Sequence, residues 1–284
     1  MNHDDDLIWL NGEIVPMSQA AISPEDRGFQ FADGVYEVIR LYTGRPFTLD
    51  QHLARLERSA AEIKLALPIP TAKLKAEMLR LVAQAAAGEG MIYAQLTRGH
   101  APRNHLFPQR QGHTLLFYTR PLDPLPGVDQ TPHVKLLTAT DDRWQRCFIK
   151  SIALLPNVLA KNAAVAAGAD EAVFVDHGHV TECSASNFFA VINGILTTCP
   201  VGPKVLPGIT RAVLLECAKE LNIPVAERPI PENEARAADE LFITSTTREI
   251  SPVSHWDDKP VGRTTTITKR LHHALKQRVA AAIR

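Results

Sequence analysis

The sequence predicts a mixed α+β (α/β) fold in two domains, on three observations. Segments of alternating apolar and polar residues occur in both halves of the chain, segments with apolar residues at helical spacing are interleaved with them, and no internal repeat is present. At 284 residues the chain is longer than one small core usually serves. The stretch "PLDPLPG", residues 121–127, carries three prolines in seven positions and reads as a linker. The expected organisation is therefore a smaller N-terminal α/β domain over 1–120, the linker, and a larger domain over 128–284.

The elements follow in order. "LIWLNGEIVPM" alternates around Asn11-Gly12 and reads as a β-hairpin. In "GVYEVIRLYTGRPFTL", Val35, Glu37, Ile39 and Leu41 share one strand face, Tyr36, Val38 and Arg40 the other, and Thr43-Gly44 begins the turn. Asp50 is expected to cap a helix whose Leu53, Leu56, Ala60 and Ile63 lie at helical spacing. A second helix is expected from about Thr71 to Ala87, ended by Gly88. "MIYAQLTRG" and "HTLLFYTR" are strands around the polar loop "HAPRNHLFPQRQ".

Beyond the linker come a strand near Val134 to Thr138 and an alanine-rich helix about Val158 to Ala167. Short strands follow, joined by turns at His177-Gly178 and Asn193-Gly194. A helix after Gly208, the strand and loop "ELFITSTTREI", and a closing helix from about Thr266 to Ile283 complete the chain.

Composition narrows function. Acidic and basic residues number 31 each, so the formal net charge is zero, and no basic cluster stands out; a nucleic-acid or polyanion binder is not expected. The acidic opening "MNHDDDLIWL" resembles neither a signal nor a transit peptide, and no apolar run reaches the length of a membrane span. Cys147, Cys183, Cys199 and Cys217 lie far apart with no C-x-x-C pair, so a reduced, cytoplasmic protein with free thiols is expected. The eleven histidines show no metal-ligand spacing; "HGH" and "HH" read as a turn and a solvated helix face, and no metal site is expected.

One charge demands an explanation. Lys150 sits in "RCFIKSIALLP" between Phe148-Ile149 and Ile152 to Leu155, and a buried ammonium is costly unless paired or neutral. It could snorkel to solvent, be salt-bridged, or be a desolvated amine kept for Schiff-base chemistry. Two further segments read either as a cap and a polar loop or as parts of a phosphate site. They are "VLPGITRAV", with Pro207-Gly208 before a helix starting at Ile209-Thr210, and "TSTT", residues 244–247. An amine, a phosphate cup and an acid for a pyridine nitrogen together suit pyridoxal 5'-phosphate.

"DRGFQFADGVYEV", "IKSIALLPNVLAK", "TECSASNFF", "LPGITR" and "ELFITSTTREI" resemble, in this order and over essentially the whole chain, the fold-type IV aminotransferases that use pyridoxal 5'-phosphate. The resemblance implies a larger domain with a barrel-like sheet flanked by helices, and Lys150 as the Schiff-base lysine and proton shuttle. It also implies Glu182 as the carboxylate facing the pyridinium nitrogen and Leu206 as the residue packed on the ring. Arg55, Ile209, Thr210, Ser245 and Thr246 would be the phosphate set. Transfer would be ping-pong, through a pyridoxamine form.

Within the family, "TRGHAPRNH" is similar to the D-amino-acid aminotransferases. Their Arg-x-His, here Arg103 and His105, joins the tyrosine of "GVYEV", here Tyr36, to grip the substrate α-carboxylate; a guanidinium with two more donors suits that group. The implied reaction moves an amino group from a D-amino acid to a 2-oxo acid, in a homodimer whose site lies at the subunit interface. A branched-chain L-aminotransferase would lack the Arg-x-His, and a 4-amino-4-deoxychorismate lyase typically carries a threonine where this chain has Tyr36-Glu37. Departures from the family pattern are Cys183 and Ala185, where Gly and a serine are usual, and Arg248, where a small polar residue is expected; Arg248 would reach the pocket mouth or face solvent.

Overall fold

The computed structural model describes residues 6–110 and 112–284. The first five residues of the acidic opening, and Gln111 in the polar loop, lie outside the described residues. The chain divides into two compact units, one chiefly Met1–Pro124 with Ile149–Ala153, the other chiefly Leu125–Phe148 with Leu154–Ala282. The lysine segment, expected with the C-terminal part, thus groups with the first unit, because its backbone pairs with a strand there.

The first unit contains β1 (Leu7–Leu10), β2 (Glu13–Pro16), α1 (Arg27–Phe31), β3 (Gly34–Tyr42), β4 (Arg45–Pro46), α2 (Leu49–Glu62), α3 (Thr71–Gln84), β5 (Gly90–Thr97) and β6 (Thr114–Pro121). The sheet order is β2-β1-β6-β5-β3-β4, antiparallel throughout. Asn11-Gly12 and Thr43-Gly44 have positive φ at both positions, the two-residue hairpin geometry that matches strand twist.

α2 carries two neighbouring stripes. Leu49, Leu53, Leu56 and Ala60 form the apolar one, and His52, Arg55 and Ser59, also buried, form a polar one beside it. The helix packs on β3, and burial of Leu53 and Leu56 contributes about 1.5–3 kcal/mol each.

Two boundaries differ from expectation. α2 starts at Leu49 after Thr48, whose φ is 55° and whose side chain does not cap. Asp50 is thus inside the first turn, and its carboxylate meets Lys75 of α3 at 2.7 Å instead of capping. α3 stops at Gln84, three residues before Ala87, because Ala85 to Ala87 bend back to donate to carbonyls of its last turn.

The second unit contains β7 (Val134–Thr140), α4 (Leu155–Ala166), β8 (Glu171–Asp176), β9 (His179–Cys183), β10 (Asn187–Ile192), β11 (Ile195–Thr198), α5 (Ile209–Glu220) and β12 (Val225–Glu227). It continues with β13 (Ile230–Pro231), α6 (Glu232–Arg236), β14 (Glu240–Ser245), β15 (Glu249–Trp256), β16 (Lys259–Pro260) and α7 (Thr266–Ala282). α4 begins three residues earlier than expected, since Pro156 is compatible with a first turn, where its missing N–H has no intrahelical role.

The sheet is mixed. It runs β12-β11-β10-β14-β15-β7-β8-β9-β13 with β16 on β15, and β7 is parallel to both its neighbours. Val134 of β7, Val173 of β8, Val180 of β9, Phe188 of β10, Ile243 of β14 and Trp256 of β15 share one core cluster. Strands so far apart in the order reach a common interior only if the sheet curls, which gives the half-barrel. α5 and α7 pack together and on β14.

Candidate active site

In the first unit the segment around Lys150 lies along the start of β3. Tyr36 N–H donates to the Lys150 carbonyl at 3.0 Å, Ile152 N–H to the Gly34 carbonyl at 3.2 Å, and Ser151 bridges Val35. Lys150 N–H donates to Ser59 Oγ of α2 at 3.2 Å. With its backbone held by strand and helix, the half-buried side chain sets Nζ 4.1 Å from the Tyr36 ring centre. The amine thus lies against an aromatic face.

Tyr36 continues into a stack with Tyr93 and Tyr118, at 5.9 and 5.3 Å between rings. Burial, with the two flanking phenols, pushes the Tyr93 hydroxyl well above its usual range.

Arg55 is buried on α2 with one edge of its guanidinium on Glu37 of β3: Nε donates to Oε1 at 2.7 Å and Nη2 to Oε2 at 2.8 Å. His52 Nδ1 meets the same Oε2 at 2.7 Å. Burial alone would raise the Glu37 pKa, but Arg55 and His52 bring it down to about 2. Burial pushes His52 below its ordinary value; a neutral ring with its proton on Nδ1 then donates to the ionised carboxylate. Arg103 and His105, on the loop between β5 and β6, both lie against Phe31 of α1, at 4.9 and 5.4 Å from its ring centre.

In the second unit Glu182, on β9, is 5% exposed. Its Oε1 accepts from Arg143 Nη1 at 2.6 Å; its Oε2 accepts from Asn187 Nδ2 and from the Leu206 N–H, both at 3.0 Å. Arg143 is itself gripped by Asp141 through Nε at 2.9 Å and Nη2 at 2.8 Å, while Thr181 Oγ1 donates to Asp141 at 2.8 Å. Burial pushes Glu182 up to about 7 against the pull of Arg143. Three of the roughly four acceptor sites of a carboxylate are thus used, and one more donor can be taken.

Asn187 joins this carboxylate to two other elements. Its Nδ2 also donates to the Leu206 carbonyl at 2.9 Å, and on β10 it stands opposite Thr244 of β14. A Cβ at Gly208 would sit 1.9 Å from Asn187 Oδ1, so only glycine lets the start of α5 approach this closely. Gly208 provides no side-chain cap. The first N–H groups of the helix, at Ile209 and Thr210, thus receive no side-chain acceptor from the residue before them. Thr244 Oγ1 is buried without a partner, and Ser245 and Thr246 follow it, half-buried, into the turn before β15.

The departures are accounted for in part. Arg248 Nη1 reaches Glu171 Oε2 at 3.3 Å, so it is tied to a buried carboxylate of its own unit. Glu171 Oε1 also accepts from Ser184 Oγ at 3.1 Å and from the Ala185 N–H at 2.7 Å, so residue 185 contributes its backbone to this contact. Burial drives the Cys183 thiol well up.

Within one unit, then, the structure brings together Lys150, Tyr36 and the helix of Arg55; within the other, Glu182, Leu206, Ile209, Thr210 and the Ser245-Thr246 turn. Sequence reading missed Arg143, Asp141 and Asn187, and the Glu37–His52 support of Arg55. Glu37 did leave a signal, a charge on an otherwise apolar face. Arg143, 39 residues from Glu182, left none. Among the described residues no group of three or more His, Cys, Asp or Glu side chains could hold a metal.

The family profile described as amino-transferase class IV matches residues 34–256. The D-alanine aminotransferase of Bacillus licheniformis is 40% identical over 274 residues, 96% of each chain. That of Listeria monocytogenes serotype 4b (strain F2365) is 42% identical over 282 residues, 97% of this chain and 96% of the relative. Among solved structures, the branched-chain aminotransferase of the thermophilic archaeon Thermoproteus uzoniensis with norvaline superposes with a TM-score of 0.87 at 26% identity, covering 97% of this chain and 95% of that one.

Proposed function

This chain belongs to the class IV aminotransferases, and from that premise we propose that it moves the amino group of D-amino acids to 2-oxo acids. The reaction is of the type D-alanine plus 2-oxoglutarate to pyruvate plus D-glutamate, with pyridoxal 5'-phosphate as cofactor.

The donor set supports the cofactor. Glu182 has acceptor capacity left beside Arg143, Asn187 and Leu206. The start of α5 is uncapped, and Thr244 Oγ1 lacks a partner inside its fold. Bound there, the cofactor supplies an electron sink for the pair left at the substrate Cα when its proton is removed. Lys150 holds the cofactor by its amine and carries the proton from and to substrate carbon, as general base and then acid. Glu182 holds the ring-nitrogen proton by its negative charge. Leu206, whose backbone is tied to Glu182 and Asn187, would pack on the ring. Within the second unit the Ile209 and Thr210 N–H groups and the hydroxyls of Thr210, Ser245 and Thr246 would hold the phosphate, and within the first Arg55, oriented by Glu37, is a cation suited to an anion.

The D-series reading is carried by one observation: Arg103 and His105 are laid against the same Phe31 ring, a guanidinium and an imidazole placed together as a carboxylate requires. With Tyr36 they receive the substrate α-carboxylate. In the proposed homodimer the loop of Arg103 and His105 serves the partner subunit's site. Leu155, Val158, Leu159 and Val165 support the same assembly, since they leave an exposed apolar stripe along α4 of the kind that marks subunit contacts. The free thiols of Cys147, Cys183, Cys199 and Cys217 support a cytoplasmic setting; among the described residues no helix is long and apolar enough to cross a membrane.

The likeness to a branched-chain enzyme favours a second reading, in which L-amino acids are the donors. Holoprotein mixed without 2-oxo acid with D-alanine, L-leucine or a simple chiral amine separates the two. Loss of the cofactor's visible absorption with D-alanine alone is expected. Loss with L-leucine instead would move the assignment to the branched-chain reading.

A further inference from the structure

The loop that bears Arg103 and His105 is built more firmly than its polar sequence suggests, and the residues that hold it lie outside the site described above. Its neck is closed where Gly99, at φ +73°, passes so near His113 that a Cβ would lie 2.6 Å from the His113 nitrogen. Asp26, buried at that neck, accepts from the Gly28 N–H at 2.7 Å, Thr97 Oγ1 at 3.0 Å and Thr114 Oγ1 at 2.5 Å. It thereby fixes α1 to the two strands that flank the loop.

From α1, Arg27 reaches into the loop itself. Its Nη1 donates to the Asn104 carbonyl at 2.6 Å and the Leu106 carbonyl at 3.4 Å. These are the two backbone positions that bracket His105, and Asn104 directly follows Arg103. Its Nε donates to Asp33 Oδ2 at 2.8 Å. Asp33 is gripped from the other side by Arg98, whose Nε and Nη2 lie at 2.8 and 3.0 Å and which is fully buried on the Ile63 and Lys64 carbonyls. The Arg98 guanidinium in turn lies 3.9 Å from the Phe107 ring centre. Burial works against a charged Asp33, but Arg98 and Arg27 hold its carboxyl below the usual range, so the clamp stays ionised at neutral pH.

We propose that the Arg27–Asp33–Arg98 chain is a positioning device for substrate recognition: it fixes the backbone on either side of His105, and so the pose in which Arg103 and His105 meet a substrate carboxylate. The inference rests on the proposed role of those two residues. Arg27 touches no reacting atom; it acts through the loop. A planar guanidinium is required because its edges must present Nε to Asp33 and Nη1 to two carbonyls at once, which a lysine ammonium on a flexible stem does not reproduce.

The test compares Arg27→Lys, Phe31→Leu and Arg103→Ala in the holoenzyme with D-alanine and 2-oxoglutarate, together with amide hydrogen exchange of residues 101–110 in the protein without cofactor. Arg27→Lys is expected to raise KM for both carboxylate substrates by roughly tenfold, as loss of a positioned binding group does, with kcat within about twofold. Exchange at 103–107 should quicken while that of β3 and β5 is unchanged. Phe31→Leu, which removes the ring that Arg27, Arg103 and His105 all lie against while leaving every charge in place, is expected to show the same split and serves if Arg27→Lys does not fold. Unchanged KM and exchange in the clamp variants, with KM raised in Arg103→Ala, would overturn the clamp alone. Unchanged KM in Arg103→Ala would instead overturn the carboxylate-binding role on which it rests.

Discussion

Two buried carboxylates show how the same residue type is set to opposite protonation behaviour by its neighbours. Glu37 has Arg55 and His52 on it and falls to about 2; Glu182 shares Arg143 with Asp141, and burial leaves it at about 7. For Glu37 the folded value lies below the unfolded 4.5, so its contribution is complete above that pH and is lost as pH falls toward 2. Glu37→Gln should cost about 3–5 kcal/mol at neutral pH, because it strands the buried Arg55 charge; denaturant unfolding at several pH values should show the difference shrinking in acid. Glu182 runs the other way: the folded protein without cofactor keeps its proton longer, so stability is lost as pH rises from 4.5 to about 7. Glu182→Gln should therefore gain on the wild type across that window, and a constant difference would contradict the assignment.

At the scale of elements, the proposed cofactor-binding set depends on close approaches between secondary structures. α5 can bring its first N–H groups toward Asn187 only because residue 208 has no side chain. Gly208→Ala is expected to cost about 1–3 kcal/mol by overpacking and to displace Asn187 from Glu182. The measurement is unfolding of the protein without cofactor, alongside titration of that protein with pyridoxal 5'-phosphate. Weakened cofactor binding should accompany the loss of stability; full affinity would show that α5 does not hold the phosphate. α2 acts similarly for the other unit, since its apolar stripe docks on β3 and thereby delivers His52, Arg55 and Ser59 to Glu37 and the Lys150 backbone.

At the scale of the whole molecule, the α4 stripe is the surface to test. Leu155 is 67% and Leu159 62% exposed, on a helix whose neighbouring positions 158 and 165 are also apolar and exposed. For the proposed homodimer, Leu159→Glu is expected to shift sedimentation from dimer to monomer and to remove activity in proportion. An unchanged dimer would place the interface elsewhere, and a fully active monomer would refute an interface site.

What the sequence determined by itself was local or periodic. The hairpin dipeptides, the strand alternation from Val35 to Leu41 and the apolar spacing of α2 are written in neighbouring residues, and the ordered motifs around Lys150, Glu182, Gly208 and Thr244 carried the family. What only the tertiary structure decided was which charges meet. Arg143 reaches Glu182 across 39 residues and Arg98 reaches Asp33 across 65, and neither pairing has a sequence signature, because an ion pair needs only two ends brought to hydrogen-bonding distance and is indifferent to the chain between them. Asp50 makes the same point in reverse. Its sequence position suited a helix cap, but Thr48 turned left-handed two residues earlier and α3 offered Lys75, so a long-range partner took a side chain that local rules had assigned elsewhere.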